Sequence, residues 1–473
     1  MRCESGPLRL TGGIGAGALL WVVLGGCVST PMPDLQVPLP SQWLHTIAAS
    51  AAPRPGSPWW RNLGDSQLDA LIERALAENL DIGQATARLR AARELGRTAD
   101  SELRPDLHFR TSNPIDPDAS ASYLVAGFDS VWELGLFGRG KAVHRMARAQ
   151  LDIASADVGD AKVSVAAEVA RQWILMRAAQ QRLVVLEQIS ERRALQAQLM
   201  AERRRLMLAS PQDAAQADAA AAQARMAATD PREAEATSAQ ALALLLGQAE
   251  PDPAWRQPGA LPHLNAPPFV SIPADLLRQR PDIRRAQAAV LNAAGELGEA
   301  KADRFPSVAI GGSVVRSTSE AERISTDTGS IGSLGPLIDI PLFDWGLRRA
   351  KAMAKGELLT ASVVAYRKSV MVAVSEVESG LVAMEEDQSR ETQANLALRA
   401  LDDAASDVET RKRLGLASGL DVAGSKVERD QASIELDNAI AHEALDYVAL
   451  CKALGGDSGG VAVAPAQKEA AGW

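Results

Sequence analysis

The chain has 473 residues, of which 47% are hydrophobic and 23% charged, and its formal net charge is −9. That length and composition provide for a large ordered core and exclude a chain that is disordered as a whole. Lysines and arginines are scattered among acidic neighbours, which argues against the basic face that nucleic acid binding requires. Aromatic residues make up only 4%, and the alanine-rich run 217–223 favours closely packed helices. We therefore expect a mainly α-helical protein that does not bind nucleic acid.

The first residues have the features of a secretion signal. Arg2 and Arg9 precede the apolar stretch 14–24, which is too short to span a bilayer comfortably as a helix. The stretch is followed by the sequence GGC, and together they resemble a lipoprotein box whose cysteine, Cys27, receives the lipid. We therefore predict a signal peptide over residues 1–26 and a lipid anchor on Cys27. The alternative is an ordinary signal with an incidental cysteine.

The cysteines limit other chemistry. Once the signal is removed, Cys451 is the only cysteine besides Cys27, so neither a disulfide framework nor a paired-cysteine metal site can form. No later segment offers about eighteen uninterrupted apolar residues. We therefore exclude a helical membrane span and expect any membrane crossing to use strands.

An internal duplication is the strongest organisational signal in the chain. Three pairs of matching segments recur in the same order, at separations of 201, 206 and 208 residues: Asp81 with Asp282, Phe137 with Phe343, and Leu208 with Leu416. Each half follows one plan of a helix, two strands, one very long helix, a sharp turn and a returning helix. Three anchors in one order are difficult to produce by chance.

The long helices are predicted from the absence of proline between Gly138 and Ala209 and again over residues 344–416. In the first of these stretches, apolar residues recur at the spacing of a coiled-coil seam, as at Met176 and Ala179. A helix of about 70 residues would be about 105 Å long, which no ordinary globular domain needs.

Four segments between the helices are typical of membrane strands: 107–113, 122–134, 307–317 and 328–340. They show a weak alternation of polar and apolar residues and contain serine and glycine, as barrel strands do. The first two are separated by a turn at Pro114 to Asp118. Four strands cannot close a barrel, and lipid does not tolerate an open edge, so several chains must share one barrel.

These features divide the chain into six parts. They are a signal peptide (1–26), a lipidated extended segment (27–60), a first repeat (61–250), a proline-rich linker (251–273), a second repeat (274–456) and a flexible tail (457–473). The proline-rich stretches that follow Cys27 and join the two repeats should be extended and lie against the helices.

Taken together, the motifs resemble the outer membrane factor, or TolC-like, family, and in particular its NodT-type efflux outer membrane lipoproteins. The residues that carry the resemblance are five short segments: 132–140, 280–287, 301–307, 340–346 and 452–456. The resemblance implies a fold that is mainly α with a small membrane β-barrel, four strands per chain and long periplasmic coiled-coil helices. It also implies outer-membrane sorting, because Val28 replaces the aspartate that retains such proteins at the inner membrane.

The family further implies a homotrimer with a twelve-stranded barrel in the outer membrane lipid. Such a trimer is the passive exit duct of a tripartite efflux system, with an inner-membrane pump and a periplasmic adaptor as partners. Drugs or other small molecules would be the substrates. The alternatives are a duct for type I protein secretion and a non-conducting scaffold of the cell envelope.

Functional residues are expected at the turns that end the long helices. The resemblance makes Asp421 the candidate for a carboxylate ring at the periplasmic gate, with Leu416 and Leu420 as apolar neighbours. It also makes the turns the adaptor-docking tips, formed by Leu206, Met207, Leu208, Leu414, Gly415 and Leu416. Alternatively, the leucines cap the coiled-coil interior and Asp421 is only a helix N-cap.

A further group is expected to shape the junction between barrel and helices: Trp132, Glu133, Phe137, Gly138, Pro341, Phe343 and Gly346. Catalysis is not expected. The pair His442-Glu443 begins like a zinc-helix motif, but Asp446 stands where a second histidine is required, so we interpret it as a solvated helix face. We expect no enzyme activity, no metal and no cofactor other than the lipid on Cys27.

Overall fold

The computed structural model describes residues 31–37, 43–45, 58–112, 123–264, 274–319 and 330–456. The signal peptide, Cys27, most of the segment 27–60, the turn at 114–118 and the tail 457–473 lie outside the described residues. Predictions on those parts therefore stay predictions.

The described residues contain eight α-helices and four strands. The helices are α1 (Ser66–Glu78), α2 (Leu80–Arg97), α3 (Arg139–Arg205), α4 (Pro211–Met226), α5 (Thr229–Leu245), α6 (Pro281–Ala302), α7 (Leu347–Arg413) and α8 (Gly419–Ala453). The strands are β1 (His108–Ser112), β2 (Tyr123–Glu133), β3 (Ser307–Ser319) and β4 (Ser330–Asp339). The mainly helical fold with four strands is confirmed.

The duplication is visible in the backbone. Helices α3 and α7 have the same length, 67 residues, or about 100 Å each, and equivalent residues are 208 positions apart. Left-handed backbone recurs at the same separation before the helices, at their ends and at the end of each half: Phe137 and Trp345, Gly138 and Gly346, Met207 and Gly415, Gly247 and Gly455. The prediction that pairs Phe137 with Phe343 is therefore wrong by two residues, because the backbone places Trp345 at the equivalent position.

The returning helix of the first half differs from the prediction. It is broken into α4 and α5, whereas α8 returns as one helix of 35 residues. Pro231 lies in the first turn of α5 and has no N–H to donate to the carbonyl of Ala227. A proline is tolerated in a first turn and not in a helix interior, so the helix restarts there.

Four antiparallel strands form one sheet in the order β1-β2-β3-β4. The strands come from both halves, because β2 of the first half pairs with β3 of the second along their lengths, from Tyr123 with Ser319 to Glu133 with Ala309. Strands β1 and β4 each have one partner in the described residues, so both edges of the sheet carry unpaired backbone groups.

The chain divides into two compact units that cut across the repeats. Unit 1 comprises the described residues within Met1–Gln36, Arg88–Ser155 and Arg284–Lys368, and unit 2 comprises those within Val37–Ala87, Ala156–Ile283 and Ser369–Trp473. Each unit contains segments of both halves, so the two halves fold together rather than as separate domains.

In the core of unit 2, two buried aromatic side chains form hydrogen bonds with the segment around the start of α1. The indole nitrogen of Trp173 donates to Asp65 at 2.6 Å, which also caps α1. The hydroxyl of Tyr447 donates to the carbonyl of Trp59 at 2.9 Å and accepts from Asn62 at 2.8 Å. Trp173 and Tyr447 are at most 1% exposed, so their polar atoms need these partners.

The described part of the linker lies against α3, as predicted. Backbone carbonyls of Trp255, Gln257 and Gly259 accept hydrogen bonds from the side chains of Gln180, Arg177 and Gln181, respectively. The expectation of a wholly extended linker is wrong at Pro253–Arg256, which form a 3-10 turn. Asp252 caps this turn, and the turn buries Trp255.

Helix α7 contains a segment that the prediction of no helical membrane span did not consider. Among the described residues, it contains an 18-residue window that is apolar enough to cross a membrane by length and composition, with a mean hydropathy of 1.3. The sequence criterion of uninterrupted apolar residues missed this window because it tolerated no charged side chain. Only 11% of the window is buried within the chain, so α7 exposes apolar surface.

Candidate functional site

The turns that end the long helices are built in the same way in both halves. At the first, Leu208 N donates to Arg203 O at 2.8 Å, and at the second Leu416 N donates to Arg411 O at 2.8 Å. These bonds close around residues with positive φ, Met207 at 56° and Gly415 at 75°, which is the geometry of a Schellman motif.

The predicted docking residues are exposed at these turns. Leu206, Met207 and Leu208 are 60%, 91% and 72% exposed, and Leu414 and Leu416 are 68% and 67% exposed. Contacts within one chain therefore do not bury these leucines, and the alternative that they cap the coiled-coil interior stays a prediction. Each turn therefore has apolar side chains on its surface that contacts within the chain do not cover.

Asp421 lies at the start of α8 in a capping box with Ser418. Its carboxylate accepts from the backbone N–H of Ser418 at 2.7 Å, while its own N–H donates to the Ser418 hydroxyl at 3.3 Å. The N-cap is thus Ser418, and the alternative that made Asp421 the N-cap is wrong by three residues. Ser210 and Asp213 form the equivalent box at the start of α4.

The surroundings of Asp421 favour its charged form. Hydrogen bonds from the hydroxyl and backbone of Ser418, and then the charges of Arg203 and Arg411, hold the pKa of this carboxyl below its usual value. Asp421 is exposed, and Leu420 is half-buried. An ionised carboxylate is therefore presented beside the second turn, and its gating role remains a prediction.

The first junction between strand and helix is a compact cluster in unit 1. The indole of Trp132 donates to Leu103 O at 2.9 Å, and the ring of Phe137 stacks on Phe305 at 5.3 Å. Arg139 pairs with Glu133 at 3.2 Å and with Asp303 at 2.7 Å. These contacts join the end of β2, the start of α3 and the end of α6.

The second junction is more exposed. Phe343 contacts Trp345 edge-on at 4.8 Å, and the two rings are 75% and 90% exposed. Asp344 accepts hydrogen bonds from the N–H groups of Gly346 and Arg348 and so starts α7. Pro341 is half-buried at the end of β4.

The register gives the sheet two distinct faces, because the side chains of directly paired residues lie on the same side. One, the apolar face, carries large side chains that are each between 37% and 83% exposed: Phe109, Phe128, Trp132, Ile310, Val314, Leu334 and Ile338. A charged residue, Arg316, lies on the same face, where it pairs with Ser330 at the start of β4. The rings of Phe109 and Phe128 lie 5.1 Å apart on it.

The opposite face, the charged face, carries Arg110, Asp129, Glu133, Ser313, Ser333 and Asp339, together with several aliphatic residues. Arg110 pairs with Asp129 at 3.6 Å, and the hydroxyls of Ser313 and Ser333 lie 2.8 Å apart. None of these four residues was predicted from the sequence. The alternation in HFRTS of β1 was a signal for them, but faces can be compared across strands only when the register is known.

Known proteins match this chain over most of its length. The model of the family described as outer membrane efflux protein matches residues 71–248 and 272–456. Nodulation protein T of Rhizobium leguminosarum bv. viciae is 26% identical over 458 residues, which cover 93% of each protein. Outer membrane protein OprJ of Pseudomonas aeruginosa is 27% identical over 421 residues, which cover 85% of this chain and 86% of OprJ.

Solved structures of outer-membrane channels have a similar fold. The outer-membrane channel OprN superposes with a TM-score of 0.74 at 26% identity, over 90% of this chain and 99% of OprN. The Campylobacter jejuni CmeC outer membrane channel superposes with a TM-score of 0.76 over 90% of this chain and 94% of CmeC. At 18% identity, the second comparison bears on the fold alone.

Proposed function

The chain belongs to the outer membrane efflux protein family, and from this premise we propose that it is the exit duct of a tripartite efflux system. Drugs or other small molecules pass through it without chemical change. An inner-membrane pump supplies the energy, and a periplasmic adaptor connects the pump to the duct. The family is one of efflux proteins rather than enzymes, and we propose that this member has no catalytic activity and needs no cofactor.

The two faces of the sheet carry this proposal. A strand that crosses a membrane as part of a channel must present apolar side chains to lipid and polar side chains to the lumen. The apolar face, with Phe128 and Leu334, suits the lipid, and the charged face, with Arg110 and Asp129, suits a water-filled lumen. We place the charged face on the inside of the duct.

More than one copy is needed because one sheet leaves two edges open, and the resemblance to the family makes the number three. Unpaired N–H and C=O groups along β1 and β4 cannot remain exposed to lipid. Three sheets of four strands supply twelve, with β4 of each chain paired to β1 of the next. The exposed apolar window of α7 provides further surface that a neighbouring chain can cover. We propose a homotrimer on these grounds.

The two turns and the N-terminus complete the proposal. The apolar tips at Met207 and Leu416 offer the adaptor surface to bury, and Asp421 closes the periplasmic mouth when three copies approach one another. The lipid on Cys27 anchors the mature chain to the outer membrane, where relatives such as OprJ are found by name.

Conductance of single channels in planar bilayers tests the duct with a pair of neighbouring variants. Ser333→Lys adds a positive charge to the charged face, so we expect a conducting trimer with a reduced preference for cations. Leu334→Lys adds the same charge to the apolar face, where it costs about 2–4 kcal/mol near the bilayer midplane. We expect it to impair insertion.

The proposal fails if the purified lipidated protein, together with its Asp421→Ala variant, never conducts. A protein of that behaviour would be a scaffold that spans the periplasm. If Ser333→Lys and Leu334→Lys inserted and conducted equally well, the assignment of the two faces would be wrong.

A further inference from the structure

Three elements of unit 2 bring an imidazole and two carboxylates together. One ligand atom each from His263 of the linker, Glu391 of α7 and Glu443 of α8 lie within 4.8 Å of one another. Glu443 is only 5% exposed, Glu391 is half-buried and His263 is exposed. The interpretation of His442-Glu443 as a solvated face is therefore wrong for Glu443, because helix α8 turns this residue inward and His442 outward.

A buried oxygen without a partner lies beside this cluster. Asp387, one turn before Glu391 on α7, is 1% exposed. Arg390 donates to its Oδ1, but its Oδ2 has no hydrogen-bond partner in the described part of the chain. Asp387 lies against Asp446 and acts electrostatically on Glu443. A buried oxygen of this kind costs free energy unless a proton or a cation satisfies it.

The charges around the cluster are unbalanced. Helix α7 contributes Asp387, Arg390 and Glu391, while α8 contributes Glu443 and Asp446, so four carboxyl groups share one guanidinium. A bound cation would offset this excess of negative charge.

The donor set selects the ion. Imidazole nitrogen together with carboxylate oxygen suits Zn²⁺ and other first-row divalent metals, whereas Ca²⁺ and Mg²⁺ prefer sites made of oxygen alone. We propose that His263, Glu391 and Glu443 bind a first-row divalent metal ion such as Zn²⁺, with Asp387 beside it. The ion would fasten the linker to α7 and α8. This site is independent of the duct function.

Titration of the full-length protein with Zn²⁺ tests the site. The protein is purified in detergent without a histidine tag, treated with chelator and studied by calorimetry at pH 7.5. We expect one Zn²⁺ per chain, and a dissociation constant that rises at least about 10-fold in His263→Ala and in Glu443→Gln. Glutamine has the shape of the protonated acid, so Glu443→Gln should fold.

Two matched controls separate this site from adventitious binding. His144→Ala removes an exposed histidine of α3 and Glu428→Gln an exposed carboxylate of α8, and neither should change the affinity. Failure of the wild type to bind Zn²⁺ at one ion per chain, or equal affinity in all variants, would overturn the site in favour of shared protons. Ca²⁺ binding as tight as Zn²⁺ binding would overturn the choice of ion. Conductance measured on the same preparations reports on the duct separately.

Discussion

Met207 adopts a backbone conformation that its side chain disfavours. Its φ is 56°, and the equivalent residue of the second half, at φ 75°, is glycine. A side chain in the left-handed region costs about 1–2 kcal/mol, because Cβ approaches the following carbonyl oxygen. The first turn therefore has backbone strain that the second turn lacks. The side chain of Met207 is 91% exposed.

We expect Met207→Gly to stabilise the folded protein by about 1 kcal/mol, since the strain is relieved and few contacts within the chain are lost. Thermal unfolding followed by circular dichroism measures the change. Gly415→Ala should lower stability by a similar amount. If Met207 docks the adaptor, adaptor capture by Met207→Gly falls although the protein is more stable, and unchanged capture would remove Met207 from the docking surface.

The gating role of Asp421 can be separated from its capping role, because Asp213 occupies an equivalent capping box. Asp421→Ala and Asp213→Ala remove the same hydrogen bonds, so both should lower the melting temperature similarly. Only Asp421→Ala should raise the conductance of the closed channel, since only this carboxylate is placed at the predicted gate. An equal rise in both variants would reduce Asp421 to a capping residue.

At the scale of elements, one buried ion pair joins α3 to α8. Arg192 donates to Asp430, which is 1% exposed and lies near the apolar cluster of Leu186, Ile189, Val427 and Ile434. Arg192→Met should destabilise the protein by about 3 kcal/mol, because it removes the main partner of a buried carboxylate while Arg429 remains nearby at 3.4 Å.

Unfolding in urea, followed by tryptophan fluorescence, measures this change in stability. The double variant Arg192→Met/Asp430→Leu should recover most of the loss, because no unpaired charge remains buried. A double variant as unstable as Arg192→Met would show that packing of the arginine stem, and not the charge, holds the two helices together.

The elements themselves could be predicted where residues of special backbone chemistry recur. The proline-free stretches predicted the two long helices. The capping boxes were not predicted, although the sequence contains Ser-x-x-Asp at the start of α4 and of α8. Prediction failed at Trp345, because aromatic identity suggested Phe343, and a positive φ in a residue other than glycine leaves no mark in the sequence. The break before Pro231 was missed because the second half has no proline there.

The sites depended on tertiary contacts that local patterns do not contain. The tips were predictable because they end helices. In contrast, His263 meets Glu443 only because the linker returns along the helices, and Asp129 meets Arg110 only in one strand register. Resemblance to a family supplied the roles of the tips but gave no indication of either constellation.

For the whole molecule, the open edges of the sheet decide the assembly. Strands β2 and β3 each have two partners within the chain, so a closed ring of copies related by rotation must join β4 of one chain to β1 of the next. Directly paired side chains share a face. The apolar face must therefore continue without interruption across each boundary between chains.

Disulfide crosslinking tests this continuity. Thr111→Cys on the apolar face of β1 is combined in turn with Gly332→Cys, Leu334→Cys and Ile338→Cys on the same face of β4. At least one pair should yield covalent trimers on oxidation, since paired strands bring Cα atoms within the 4.4–6.8 Å that a disulfide spans.

Ser333→Cys, on the charged face, should not crosslink with Thr111→Cys. Nor should Val314→Cys in β3, which is internal to the sheet. Crosslinks through Val314→Cys with none through β4 would mean that the chains do not assemble edge to edge, and a homotrimeric barrel could not then form from these strands.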